Sequence, residues 1–396
     1  MEDMIITERL LAETIAANGG RLYRVGGCVR DELRGFSPKD IDFCVVGMVK
    51  KNFKLLFPAA KECGQYFPVF RLLVDGHMCE AAFARTERKA GAGYKGFKIA
   101  TNPKITIEQD LFRRDTTANA IAVDCLTGAV IDPFGGIRDI GNRILRATGR
   151  HFADDPVRAL RLAGQAARLT FDIDADTLLL AGSVAGELEN EPPERAMVEL
   201  TKVLTAAHAP ARFFTVLLQS GLLPIVFKEL ADLPKEKFER AMAQLDAVSK
   251  VTISPKVRFA ALGLELNQES LTRWNNRMTL PGEWLQAAAA AGKIMNRLEV
   301  LNPENIVASI DGLRRGVLSA AEFDLISQAV SIHVPPLSAF KTLLTLTRDD
   351  APAALKGKEL GNWYRQKQIE AIANALGKKV RPDEIQANNP GTGAFS

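Results

Sequence analysis

At 396 residues the chain has the length for two or three domains, and its 47% hydrophobic and 25% charged content is that of an ordinary globular protein. A net charge of +4 does not identify a polyanionic partner, because local clustering of charge outweighs the total. No apolar run reaches the roughly 18 residues that span a bilayer, and no basic-then-apolar leader opens the chain, so the expectation is a cytoplasmic protein without membrane contact. The five cysteines, all in the first third, and the four histidines lack metal-ligand spacing, which fits reduced thiols rather than a disulfide framework or a local histidine site.

The first hundred and forty residues read as alternating helix and strand. Thr7 to Asn18 carries apolar residues at helical spacing and stops at Gly19-Gly20. Arg21 to Val25 reads as a strand and Val29 to Leu33 as a short helix, with further strands at Ile41 to Val46, Val69 to Val74 and Cys79 to Phe83. A glycine-rich loop with cationic neighbours follows around Gly91 to Gly96, then short apolar runs at Ala118 to Val123 and Ala129 to Ile131. After about Arg150 only helical patterns remain. Asp154-Asp155-Pro156 is a helix start whose apolar spacing continues to Leu169, and Pro192-Pro193 begins another helix. The C-terminal N-N-P-G-T-G-A-F-S reads as frayed. The whole is α+β: a head with a mixed β-sheet and helices, followed by an all-α remainder.

Two local features need ligands of opposite charge. Asp40 and Asp42 alternate in D-I-D-F-C-V-V; residues i and i+2 of a strand share a face, so two carboxylates would repel unless a cation lies between them. A lone D-x-D is more often a solvated strand start. Fifteen residues earlier, Gly26-Gly27 separates a strand from a helix with Arg30 in its first turn, an arrangement that lets a phosphate approach the backbone. Together the pair specifies more than either half. Asp155, Arg158 and Arg161 fall at i, i+3 and i+6, one stripe of a helix. A carboxylate accepts and a guanidinium donates, which matches the amino group beside a ring-nitrogen acceptor on cytosine and adenine, and leaves uracil and guanine unpaired. On pattern alone, a solvent-facing ion pair explains the stripe equally well.

The ordered set G-G-C-V-R-D, D-I-D, A-R-T-E-R-K-A-G-A-G-Y-K-G-F, R-R-D-T-T-A-N-A-I-A, I-D-P-F-G-G-I-R-D-I, I-L-R-A-T, D-D-P-V-R-A-L-R and P-E-R-A-M-V-E-L spans Gly26 to Leu200. It resembles the class II tRNA nucleotidyltransferase (CCA-adding enzyme) and poly(A) polymerase family, and the Ala84 to Phe97 segment is most similar to the bacterial CCA-adding branch. The resemblance implies a nucleotidyltransferase head (1–145), a nucleotide-selecting neck (146–206), a body (207–275) and a tRNA-binding tail (276–396).

It implies template-independent addition and repair of the tRNA 3′-terminal C-C-A from CTP and ATP, with Mg²⁺ held by Asp40 and Asp42 as the catalytic pair. Gly27, Arg30 and Arg114 would hold the triphosphate, while Asp155, Arg158 and Arg161 bind and select the base. Arg85, Glu87, Arg88 and Lys89 would belong to a flexible loop that assists the switch from C to A. The partners would be the tRNA acceptor arm and 3′ end, with no DNA. Alternatives are a poly(A) polymerase, an enzyme adding only CC or only the last A, or a catalytically silent RNA-binding homologue.

The sequence departs from the family pattern in places. Gly164-Gln165 stands where an arginine–phenylalanine pair is usual, so the packing of head against neck is expected to differ. Leu262 to Glu265 follows Val257-Arg258-Phe259-Ala260 without the His-Asp motif of the long bacterial relatives, so phosphohydrolase activity is not expected. Glu80 is a candidate third acidic group. The basic segment Lys356 to Ile369, with Trp363 and Tyr364, is either an RNA contact or an ordinary solvated helix.

Overall fold

The computed structural model describes residues 6–38, 40–63, 68–91, 96–330, 334–341 and 344–377. The tip of the glycine-rich loop, 92–95, and the C-terminal N-N-P-G-T-G-A-F-S lie outside the described residues. The chain divides into two compact units, Met1–Val203 with Arg212–Val226, and Leu204–Ala211 with Phe227–Ser396.

The first unit is built on strands β1 (Arg21–Val25), β2 (Asp42–Val46), β3 (Lys61–Cys63), β4 (Val69–Val74), β5 (His77–Phe83), β6 (Arg85–Lys89), β7 (Phe97–Thr101), β8 (Ala122–Asp124) and β9 (Val130–Ile131). Seven of them form one sheet in the order β3-β4-β5-β2-β1-β8-β9, while β6 and β7 make a separate antiparallel hairpin. Among the pairs of the large sheet only β2–β5 is parallel, so the expected mixed sheet is present. Its helices are α1 (Glu8–Ala17), α2 (Gly27–Leu33), α3 (Lys50–Leu56), α4 (Ile107–Phe112), α5 (Gly136–Gly141), α6 (Val157–Leu169), α7 (Ala175–Gly182), α8 (Ala185–Leu188), α9 (Pro193–Ala206, whose last turn from Leu204 belongs to the second unit), α10 (Ala211–Gln219, from Arg212 on) and α11 (Leu223–Val226).

Strand periodicity sorts the core. Phe43 and Val45 of β2 enter one cluster with Leu11 and Ile15 of α1 and the Phe53–Phe57–Phe70–Phe83 group, whose ring centroids lie 4.9–5.6 Å apart around Phe53. Cys44 faces the opposite side, with Tyr23, Val25, Leu111 and Ala122. A strand apolar on both faces is central, which fixes the position of Asp42 at its start. The N-terminal helix of the sequence reading is therefore part of the head's core. Thr7 caps it, its side chain accepting from the Leu10 amide at 3.1 Å.

Among its described residues the second unit has helices and no strands: α12 (Lys228–Ala231), α13 (Lys235–Ser249), α14 (Pro255–Leu262), α15 (Gln268–Met278), α16 (Gly282–Leu298), α17 (Pro303–Arg315), α18 (Ala320–Ala329), α19 (Leu337–Lys341) and α20 (Gly357–Gly377). In place of a His-Asp site, the V-R-F-A segment puts Arg258 in the core. Its guanidinium donates to the carbonyls of Leu204, Ala207, Ser249 and Thr252 at 2.8–3.1 Å, satisfying the carbonyls at two helix ends at once. No helix among the described residues is long and apolar enough to cross a membrane.

Candidate active site

A cavity of about 770 Å³ opens in the first unit, where α2, β2, the β6–β7 hairpin, the segment after α4, and α6 converge. Gly27, Arg30, Asp42, Arg85, Glu87, Arg114, Asp155, Arg158 and Arg161, all singled out in the sequence, line it. Asp40, Arg88 and Lys89 are not among its lining residues. Seven arginines face four carboxylates along its wall, a surplus of positive charge suited to a polyanion.

The glycine turn is shaped by its neighbours. Gly26 sits at φ 79°, and a Cβ there would lie 2.8 Å from Arg114 Nη1, so glycine is needed for both the backbone and the arginine. Gly27 is the first residue of α2. Arg30 is held from two sides: its Nε and Nη2 donate to Asp31 at 3.0 Å, and its Nη1 donates to Asn119 Oδ1 at 2.7 Å. Arg114 donates to Asp110 Oδ2 at 3.1 Å, and Asp110 is fully buried between Arg113 and Arg114. Burial opposes the Asp110 charge, yet the two arginines hold its carboxyl below the ordinary value.

β2 begins at Asp42, not at Ile41, so Asp40 lies in the bend before the strand and the same-face argument does not apply to it. The two remain electrostatically coupled. Among the described residues no hydrogen bond or ion pair reaches the Asp42 carboxylate, and its pKa is raised first by loss of solvation and then by Glu80 and Asp40, with Arg114 opposing. An unpartnered, raised carboxyl beside a second acid is the environment a hard divalent cation relieves. Glu80 pairs in register with Asp42, but its side chain is engaged by Arg71 at 2.8 Å, so it is not a ready third ligand. No cluster of three or more His, Cys, Asp or Glu able to hold a metal occurs among the described residues. Asp42, with Asp40 close enough to raise its pKa, is a donor of the type a hard cation takes.

The stripe of Asp155, Arg158 and Arg161 is arranged differently from the sequence reading. Asp155 is extended (φ −111°, ψ 107°) and precedes α6, so only Arg158 and Arg161 are on the helix. Asp155 caps the Val157 amide and is gripped by Arg195 Nη2 at 3.0 and 3.1 Å. Arg195 also lines the cavity; it stands in the P-E-R-A segment, forty residues from its partner, which hid the pairing from local spacing. Arg158, 6% exposed, donates to the carbonyls of His151 at 2.8 Å and Arg113 at 2.7 Å. Burial lowers its pKa, against the pull of Asp155 and Glu87. Arg161 is half exposed and lies 3.8 Å from Glu199.

Arg85 to Lys89 form strand β6, paired with Phe97–Thr101, rather than a loop. Alternation sorts their roles. Arg85 and Glu87 point to the cavity, where Glu87 meets Arg85 at 2.9 Å and Arg113 at 3.2 Å; Arg88 is exposed, and Lys89 reaches Glu187 at 2.6 Å. Burial, then Arg113, brings Arg85 down to about 10. The period-two pattern Arg85, Glu87, Lys89 was the available signal for a strand.

Gln165, one of the departures from the family pattern, is 3% exposed and hydrogen-bonds Thr116, Asn119 and Asp115. α6 therefore meets the segment after α4 through polar groups at this point.

The family described as "Poly A polymerase head domain" matches residues 22–146, and "Probable RNA and SrmB- binding site of polymerase A" matches residues 170–233. The chain is 40% identical over 310 residues to a protein named CCA-adding enzyme from Coxiella burnetii, covering 74% of this chain and 78% of that one. It is 40% identical over 405 residues to one named Multifunctional CCA protein from Nitrosococcus oceani, covering 90% and 98%. In fold it is similar to the Thermotoga maritima CCA-adding enzyme complexed with tRNA_CCA, with a TM-score of 0.68 at 22% identity over 96% of this chain and 94% of the other. The chain belongs to the CCA-adding enzyme and poly(A) polymerase family of nucleotidyltransferases.

Proposed function

We propose that this protein adds and repairs the 3′-terminal C-C-A of tRNA, using CTP and ATP without a template. The observation that carries the reading is the convergence in one cavity of a glycine turn with Arg30 and Arg114, an unpartnered Asp42, and the Asp155–Arg158 pair. The primer 3′-oxygen would attack the α-phosphorus of the nucleotide, forming a phosphodiester bond as the bond to pyrophosphate breaks.

Asp40 and Asp42 would hold Mg²⁺, which when bound lowers the pKa of the primer hydroxyl and neutralises charge on the phosphates. Gly27, Arg30 and Arg114 would bind the triphosphate, the arginines presenting planar donors to its oxygens. Arg195 holds Asp155 in place as an acceptor for the exocyclic amine of C or A. Arg158, fixed by its two carbonyl contacts, offers remaining N–H groups to the ring nitrogen. Uracil or guanine would then leave buried groups unpaired. Arg161 adds positive charge at the same helix face, and Glu87 links the hairpin to Arg113 and, at 3.6 Å, to Arg158, a route by which hairpin movement could alter selection.

In this reading the head, neck, body and tail are residues 1–145, 146–206, 207–275 and 276–396, and the helical half holds the acceptor arm by shape and phosphate charge. The test is incubation with tRNA ending at the discriminator base, Mg²⁺, and each nucleotide alone or in pairs. CTP plus ATP should add three residues. A long A ladder indicates a poly(A) polymerase, a stop after two C a CC-adding enzyme, and absence of product refutes the assignment.

A further inference from the structure

The phosphate side of the cavity and the base-selecting helix are joined by one buried polar network. Asp115 lies at its centre and can only accept. Its Oδ1 receives the Asn119 amide nitrogen at 3.0 Å and the Thr116 backbone N–H at 2.8 Å, and its Oδ2 receives Gln165 Nε2 at 2.9 Å. Because both amide nitrogens must face this carboxylate, both amide oxygens face away from it. Gln165 Oε1 then accepts from the Thr116 hydroxyl at 3.0 Å and from Asn119 Nδ2 at 3.1 Å. Both donors of Asn119 are thereby used, and its Oδ1 is left to accept from Arg30 Nη1 at 2.7 Å.

We propose that Gln165, on the selecting helix α6, is a positioning residue that fixes the Asn119 amide and, through it, the guanidinium of Arg30 for the triphosphate. The inference rests on the reading of Arg30 as a triphosphate contact given above. Gln165 touches no substrate in this arrangement. Its effect is on orientation: without its oxygen, Asn119 keeps only one fixed donor bond, to Asp115, and its amide is free to turn away from Arg30. Arg30 would then rely on Asp31 alone, a neighbour on its own helix that draws the guanidinium along α2 rather than across the cavity. Asp115 also couples the network to Arg161 and Arg158. Its carboxyl is pushed up by burial but held below the ordinary value overall, by Arg161 first and then by the hydrogen bonds from Asn119 and Thr116.

The test uses the full chain with Mg²⁺ and compares equilibrium binding of CTP with that of CMP, which lacks the β- and γ-phosphates. Gln165→Met removes the amide at similar volume. It should weaken CTP binding about tenfold, the equivalent of one well-placed hydrogen bond, while CMP binding stays within about twofold. Asn119→Ala should show the same CTP-over-CMP loss, and the double variant should be no weaker than Asn119→Ala alone. Gln165→Asn, milder and too short by one methylene to span the network, gives the same comparison where Gln165→Met does not fold. Equal loss for CTP and CMP, or losses that add in the double variant, would overturn the proposal and leave Gln165 with a packing role. Arg30→Ala separates the two readings: if it fails to distinguish CTP from CMP, the triphosphate assignment itself falls. If it does distinguish them and Gln165→Met does not, only the positioning role falls.

Discussion

Replacing Arg158 tests how far a side chain proposed to select the base is also structural. Its guanidinium is 6% exposed and donates to two buried carbonyls, those of His151 and Arg113, at 2.8 and 2.7 Å. Lysine keeps the charge but presents a compact ammonium on a flexible stem, and it does not reproduce a planar fork that reaches both oxygens. Arg158→Lys should strand one carbonyl and cost about 2 kcal/mol, and Arg158→Leu, which strands both, about 4 kcal/mol. For a unit of this size each kcal/mol moves the melting temperature by about 2–4 °C, so Arg158→Lys should melt roughly 4–8 °C below the wild type. The assay is thermal melting of both variants alongside incorporation of CTP, ATP and UTP. The account expects lowered melting together with relaxed discrimination against UTP. An Arg158→Leu protein that melts with the wild type while losing discrimination would refute the anchoring role and leave the guanidinium a base contact alone.

Asp42 gives the opposite sign. Its folded pKa is raised, so ionisation is disfavoured in the folded state and stability falls as pH rises from the ordinary carboxylate range through the raised value. Asp42→Asn should therefore melt above the wild type at neutral pH without Mg²⁺, and added Mg²⁺ should raise the wild-type melting temperature but not the variant's. Lys89→Ala breaks a partly exposed pair worth under about 1 kcal/mol, so melting should be unchanged while amide exchange across Arg85–Lys89 quickens. Arg258→Leu strands four carbonyls in the helical unit and should cost about 4 kcal/mol or more, read by chemical denaturation, with per-molecule CTP binding unaltered.

What the sequence disclosed was local. The glycine turn at Gly26-Gly27, a strand starting within one residue of Asp42 and a helix starting near Thr7 follow from neighbours a few residues away, and their types alone limit the backbone. The helical second half was legible for the same reason. Asp155 was legible as an acid at a helix start, but its partner Arg195 is set by the packing of α9 on α6, which no local spacing encodes. The polar network under Arg30 joins residues 46 to 89 positions apart, so Gln165 appeared in the sequence only as a departure from pattern. Glycine density around Gly91 to Gly96 suggested a loop where the flanking residues pair as strands. Cross-strand partners decide such segments, and those partners, Phe97–Thr101, lie beyond the glycines.

The most direct measurement is a single-turnover addition assay on tRNA ending at the discriminator base, with CTP, ATP and Mg²⁺, run beside a tRNA-binding measurement for wild type and Asp42→Asn. The account predicts three residues added by the wild type, none by the variant, and nearly equal tRNA affinity. Addition by Asp42→Asn at the wild-type rate would contradict it.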